Sequence, residues 1–96
     1  EYPGFVTTRA IVPLLNEAMH ILLEGIASAR DIDTAMKLGY NFQMGPLELA
    51  DSMGLEEVLT WMEQLYGTLG EPRYRPCPLL RKMIQKVILF TKIKEK

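Results

Sequence analysis

The sequence predicts an all-α domain, a compact bundle of about five helices with a long, kinked first helix. Three observations carry this expectation. Apolar residues recur at three- and four-residue intervals over most of the chain, the spacing of one helical face. Few stretches show the strict alternation that a half-buried strand needs. Seven glycines and six prolines fall largely between the periodic runs, where they end one helix or begin the next. A chain of 96 residues, 48% hydrophobic and 24% charged, fits a single domain, residues 1–96, with a modest core.

The first helix is expected from about Val6 to Ala27. Ile11, Leu14, Leu15, Ala18, Leu22 and Ile26 form one apolar stripe, and Val12, Met19 and Leu23 form a second. A helix apolar on two sides has to be covered on two sides, which predicts a homodimer packed through it. Pro13 removes the hydrogen bond to the Arg9 carbonyl, so a kink is expected there. Ser28-Ala29-Arg30-Asp31 has the layout of a capping box, with Asp31 in place of the commoner Glu, and opens a helix expected to end at Gly39.

Pro46, just after Gly45, suits the first position of a third helix, which presents Leu47, Ala50 and Met53 and closes at Gly54. Glu56 and Glu57 favour the first turn of a fourth, whose apolar face is Val58, Leu59, Met62, Leu65 and Tyr66 and which frays near Gly67 or Gly70. Glu71 to Pro78 holds three prolines and reads as an extended surface loop. Pro78 starts the last helix, with Leu80, Met83, Ile84, Val87, Ile88 and Phe90 as its apolar side.

The net charge of −1 conceals an asymmetry: residues 81–96 carry +5, leaving −6 on the first 80. The basic stretch from Leu79 to Lys96 reads either as a packed core helix with a solvated end or as an amphipathic helix for a membrane surface or a partner. Core packing is the reading its apolar positions favour, so no membrane partner is expected. An acidic body without interleaved basic and aromatic residues excludes a nucleic-acid footprint. No run approaches the roughly 20 apolar residues that cross a bilayer, and no signal-peptide pattern opens the sequence. Cys77 is alone, so it forms no internal disulfide, and a reducing, cytoplasmic setting is expected.

Nothing in the residues makes a self-sufficient active site. The glycines never form G-x-G-x-x-G, so no dinucleotide cofactor site is expected here, and no His and Cys spacing suits a metal. His20 lies mid-helix beside Met19 and Ile21 and reads as structural. Asp31 and Asp33 point to different helix faces, and helix-start chemistry explains both better than an acid–base pair.

Four segments carry a resemblance. They are Pro3-Gly4-Phe5-Val6-Thr7-Thr8-Arg9 running into Leu14-Leu15-Asn16-Glu17-Ala18; Asp31-Ile32-Asp33-Thr34-Ala35-Met36-Lys37-Leu38-Gly39; Met44-Gly45-Pro46-Leu47-Glu48-Leu49; and Tyr74-Arg75-Pro76 with Pro78-Leu79-Leu80-Arg81-Lys82-Met83. Together they resemble the C-terminal helical domain of the 3-hydroxyacyl-CoA dehydrogenases, in particular the short bacterial 3-hydroxybutyryl-CoA type. The resemblance implies an NAD-dependent oxidation of an acyl-CoA substrate by a homodimer. A Rossmann domain would supply the nucleotide site and the catalytic His. The helical domain would close over the acyl-CoA and add one polar residue to the reacting centre.

That residue is an Asn in the family segment Pro-Gly-Phe-x-x-Asn-Arg, and Thr8 stands at its position. Gln43, Met44 and Pro46 fall on the loop that borders the substrate cleft, with Gln43 where the family usually has Pro. Residues 84–96 depart from the family's Gly-rich ending, so a tail that wraps back as in the relatives is not expected.

Overall fold

The computed structural model describes residues 2–93, with side chains from Val6 onward; Lys94, Glu95 and Lys96 of the basic stretch lie outside the described residues. Five α-helices follow one another: α1 (Tyr2–Leu23), α2 (Ala29–Tyr40), α3 (Pro46–Met53), α4 (Leu55–Leu69) and α5 (Pro78–Lys86). Two short 3₁₀ turns, Pro72–Tyr74 and Phe90–Lys92, complete the chain, and there is no strand among the described residues.

α1 is the spine of the bundle. Val12, Leu15 and Met19 are fully buried and meet Leu47 and Ala50 of α3, Val58 and Met62 of α4, and Leu80 of α5 in one core. Much of the second apolar stripe is therefore covered within the domain itself, while Leu23 and Ile26 stay exposed. The helix runs unbroken through Pro13 and stops at Leu23, four residues before the expected end. The reason is local. Gly25 takes a φ of 77°, where the Gly25 and Ile26 N–H groups bond back to Leu22 and Ile21 and turn the chain out of the helix.

α2 begins as expected, with Ser28 Oγ accepting the Asp31 N–H at 3.1 Å. It runs past Gly39, and Asn41, not the glycine, takes the left-handed conformation that ends it, with φ 59°. Asn tolerates that region better than other residues with a side chain.

Gly54 alone separates α3 from α4. Its φ of 96° is one that glycine adopts freely. Its N–H bonds back to Ala50 and Asp51, and its carbonyl accepts the Val58 N–H that opens α4.

Two expectations fail at the C-terminal end. The segment after α4 is not an extended surface loop: Tyr74, Pro76 and Cys77 are buried, and Pro72–Tyr74 is a 3₁₀ turn packed on α1 and α4. Nor does α5 continue through Phe90. It stops at Lys86, and the chain then doubles back so that Phe90 is fully buried. Asp51 holds this return, its two carboxylate oxygens accepting the Phe90 and Thr91 N–H groups at 2.9 and 2.8 Å. The tail thus wraps onto the domain without the glycine-rich ending, because one carboxylate takes the backbone donors that the turn leaves over. A continuous basic helix from Leu79 to Lys96 is ruled out by the same turn.

Val87 makes the reversal. It adopts φ 55° and ψ 46°, the left-handed C-cap usually given to glycine, and its side chain is 89% exposed. A β-branched residue there is strained by about 1–2 kcal/mol with no packing to offset it. Val87→Gly should therefore raise unfolding stability by roughly 0.5–1 kcal/mol, the relief exceeding the extra entropy glycine gives the unfolded chain. Urea unfolding of the two proteins checks this, and an unchanged or lowered midpoint counts against the strain.

Candidate functional site

The first region is the face of α1 from Val6 to His20 with the segment 71–77 laid against it. Asn16 organises the contact. It is 3% exposed and uses its amide fully: Nδ2 donates to the carbonyls of Arg73 (3.3 Å) and Arg75 (2.7 Å), and Oδ1 accepts the Cys77 N–H at 2.9 Å. An amide can do this because it offers two donors and one acceptor from one rigid plane. Tyr74, buried by the same clamp, accepts a hydrogen bond from Arg9 Nε at 3.1 Å, while the Arg73 guanidinium lies 5.1 Å from its ring centre. Arg75 crosses to α4, stacking over Tyr66 and donating to its hydroxyl at 3.0 Å. Cys77 is fully buried, and burial pushes its thiol above the ordinary value, which keeps it protonated and unreactive.

Thr8 sits half-buried on α1, one residue before Arg9. Two clefts open further along this face. One is lined by Val6, Arg9, Ala10, Pro13, Arg73 and Tyr74. The other is lined by Pro13, Asn16, Glu17, His20, Pro72 and Arg73. His20 stands half-buried in the second cleft beside Glu17.

The second region is the loop from α2 to α3. Gln43 and Met44 are exposed, and Pro46 is buried at the first position of α3. What fixes this loop is Asp33, buried on α2 at 5% exposure. Its carboxylate accepts the Leu47 N–H at 2.9 Å and the Glu48 N–H at 3.1 Å, so it caps a helix to which it does not belong. The residue at the cap position, Gly45, has no side-chain oxygen and leaves that half of a capping box to Asp33. Glu48 supplies the other half, its Oε1 accepting the Gly45 N–H at 2.9 Å. Lys37 pairs with the same oxygen at 3.0 Å. Gly45 is obligatory for steric reasons, since a Cβ there would lie inside the Asp33 carboxylate.

The electrostatics follow. Burial raises the Asp33 carboxyl above its ordinary value, against the pull of its two backbone donors. The Gly45 N–H, and then Lys37, hold Glu48 below its own. The reading of Asp33 as a start signal for its own helix is thereby corrected: it completes the start of the next one. Its spacing of 14 residues from Leu47 gave no local hint of this.

Neither of the two clefts along α1 is lined by Thr8, Gln43, Met44 or Pro46. Among the described residues no cluster of three or more His, Cys, Asp or Glu could hold a metal. No helix among them is long and apolar enough to cross a membrane. The buried polar side chains, Asn16 and Asp33, both hold backbone groups.

The fold and these contacts define a small all-α domain of five helices whose buried polar side chains bind its own main chain. Comparison with known proteins gives the family. The model of the 3-hydroxyacyl-CoA dehydrogenase C-terminal domain matches residues 4–95, so the chain belongs to that family. The match includes most of the tail segment 84–96 that the sequence sets apart.

Two proteins named as probable 3-hydroxybutyryl-CoA dehydrogenases are each 51% identical. The one from Deinococcus radiodurans aligns over 96% of this chain and 33% of its own length, the one from Bacillus subtilis over 88% and 30%. The crystal structure of (S)-3-hydroxybutyryl-CoA dehydrogenase from Ralstonia eutropha superposes with a TM-score of 0.79 at 47% identity, covering 82% of this chain and 28% of that one. The chain thus spans about a third of the curated relatives it matches.

Two outcomes test the α2–α3 junction. Gly45→Ala should cost roughly 3 kcal/mol, because Asp33 must swing out of a buried site and abandon two N–H groups; a loss under roughly 1 kcal/mol would show that the junction yields easily. The pH dependence has a definite sign. Glu48 is lowered from its reference value of 4.5, so the stability it adds is present above that pH and is lost as pH falls through its folded value. Asp33, being raised, contributes in the opposite sense. The wild-type advantage over Glu48→Gln in urea midpoint should therefore shrink on acidification from pH 7. A gap constant with pH would refute this assignment.

Proposed function

We propose that this chain is the substrate-closing and dimerising part of an NAD-dependent 3-hydroxyacyl-CoA dehydrogenase of the 3-hydroxybutyryl-CoA type. It would act in acyl-CoA metabolism in a reducing cytoplasm. The observation that carries the reading is the family match over residues 4–95 together with relatives named for that activity. NAD would be held by a Rossmann domain, in cis or in trans. The residues of this chain do not fit it, since no glycine-rich strand-to-helix turn is present in the sequence.

In this reading the chemistry is removal of the substrate hydroxyl proton by a base on the Rossmann domain, as hydride leaves the same carbon. The helical domain shapes the acyl-CoA cleft with the loop bearing Gln43, Met44 and Pro46. Asp33 and Gly45 give that loop a rigid anchor. Thr8 takes the position of the family's Asn. A hydroxyl is shorter than an amide and rotates, so Thr8 would stabilise the transition state by roughly 2–3 kcal/mol less. The chain by itself would be catalytically silent.

A second reading is a non-catalytic module that pairs with itself or with a full-length dehydrogenase. The departure at Thr8 favours it, because a module has no need of the amide.

Mixing the chain with a separately expressed Rossmann domain of a short-chain 3-hydroxyacyl-CoA dehydrogenase distinguishes the two. NADH oxidation by acetoacetyl-CoA should appear with Thr8→Asn and be roughly 30–160-fold weaker with the natural Thr8. Equal rates would make Thr8 a full substitute. No rate with either protein would sink the half-enzyme reading and leave the module.

A further inference from the structure

The reversal after α5 builds a groove with an apolar floor and a basic rim. At about 100° per residue, Leu79, Lys82, Met83 and Lys86 share one face of the helix. The chain then doubles back, and Lys92 and Ile93 line the same groove from the tail. The turn between them adds Val87, Ile88 and Leu89, which are 89%, 37% and 42% exposed. The volume of about 740 Å³ lies within the range of sites that take small organic ligands.

The lining narrows the chemistry of what fits. Its side chains are Leu, Ile, Val and Met with three lysines, so they offer ammonium donors and no acceptor stronger than a thioether. A ligand rich in N–H or O–H groups would leave them unpaired against these side chains, whereas an acceptor-only head suits them. The sign is equally one-sided. Lys82, Lys86 and Lys92 are exposed; among the described residues no acidic one lines the groove, and no ion pair engages the three lysines. A second groove, which shares Met83 and the turn, is bordered by Glu56 and Glu57 and contains no basic residue. The positive rim therefore belongs to this groove and not to the turn as a whole.

We propose that this groove binds a free fatty carboxylate. The alkyl chain lies on Leu79, Met83, Val87 and Ile93. The carboxylate, which accepts hydrogen bonds and donates none, is held by the lysine rim. Lysine suits the rim twice over, because its methylene stem extends the apolar wall while the ammonium stays in water. None of Thr8, Gln43, Met44 and Pro46 lines this groove, and the proposal does not depend on the enzymatic reading.

Titrating the isotope-labelled chain with dodecanoate, below its micelle concentration, and following the backbone amide signals tests this. Saturable shifts should centre on residues 86–93, with helix content unchanged. Dodecanoate should bind roughly tenfold or more tighter than octanoate, because more methylenes are buried. Dodecyltrimethylammonium, with the same tail and a cationic head, should bind roughly tenfold more weakly. Lys86→Glu should weaken dodecanoate roughly fivefold. Val87→Asp should abolish its binding, and Asp tolerates the left-handed backbone at that position, so the fold is kept. Absence of a saturable shift overturns the proposal, as does equal affinity for the cationic amphiphile. Undiminished binding by both variants overturns it too. Shifts as large around the exposed Leu23 and Ile26 would mean an adventitious additive only. Binding to vesicles of anionic phospholipid, with no response to monomeric dodecanoate, would overturn it in favour of a membrane surface.

Discussion

The buried carboxylate of Asp33 is the constraint on which the N-terminal half of the bundle depends. An eight-residue helix such as α3 gains little from propensity and starts with backbone donors that need partners. Pro46 removes one, and Asp33 takes the next two from a different helix. One interaction thereby fixes where α3 begins, which way it leaves α2, and which residue can precede it. Gly45 follows from Asp33 rather than from any turn type. The cost of burying the charge is visible in the raised carboxyl, and the two N–H bonds with nearby Lys37 offset it.

The same device recurs twice. Asn16 on α1 holds the main chain of Arg73, Arg75 and Cys77, and Asp51 on α3 holds that of Phe90 and Thr91. In each case a segment with few helical bonds of its own lends backbone groups to one side chain on a helix. Irregular chain can then be buried without orphaned polar atoms, and none is found among the described buried side chains. A small bundle with short helices gains a larger core this way, since Tyr74, Cys77 and Phe90 all enter it from outside the α-helices.

This pattern also sets how much of the molecule was legible in the sequence. Helix number, the Ser28 cap, the Pro46 start and the Gly54 stop rest on neighbours within four residues, and local spacing shows them. Asn16, Asp33 and Asp51 act across 14 to 61 residues, and nothing local distinguishes a clamping Asn from a solvated one. The burial of Tyr74, Pro76 and Cys77 and the return of the tail were missed for that reason. Pro76, which read as surface chemistry, is packed beside a distant amide. For the site, Thr8 and the loop of Gln43 and Met44 came from resemblance alone. The structure adds the scaffold behind the loop.

Gly54 joins α3 and α4 with no intervening residue, and all its backbone groups are bonded. Mechanically this is a welded elbow with no slack. Length at this point is therefore constrained as strictly as identity. One residue gained would turn α4 by about 100° about its axis and carry Val58, Met62 and Leu65 out of the core together. Drift in loop length, which most surface connections absorb, has to be absorbed elsewhere in this domain, at the turns around Gly25 and Gly70.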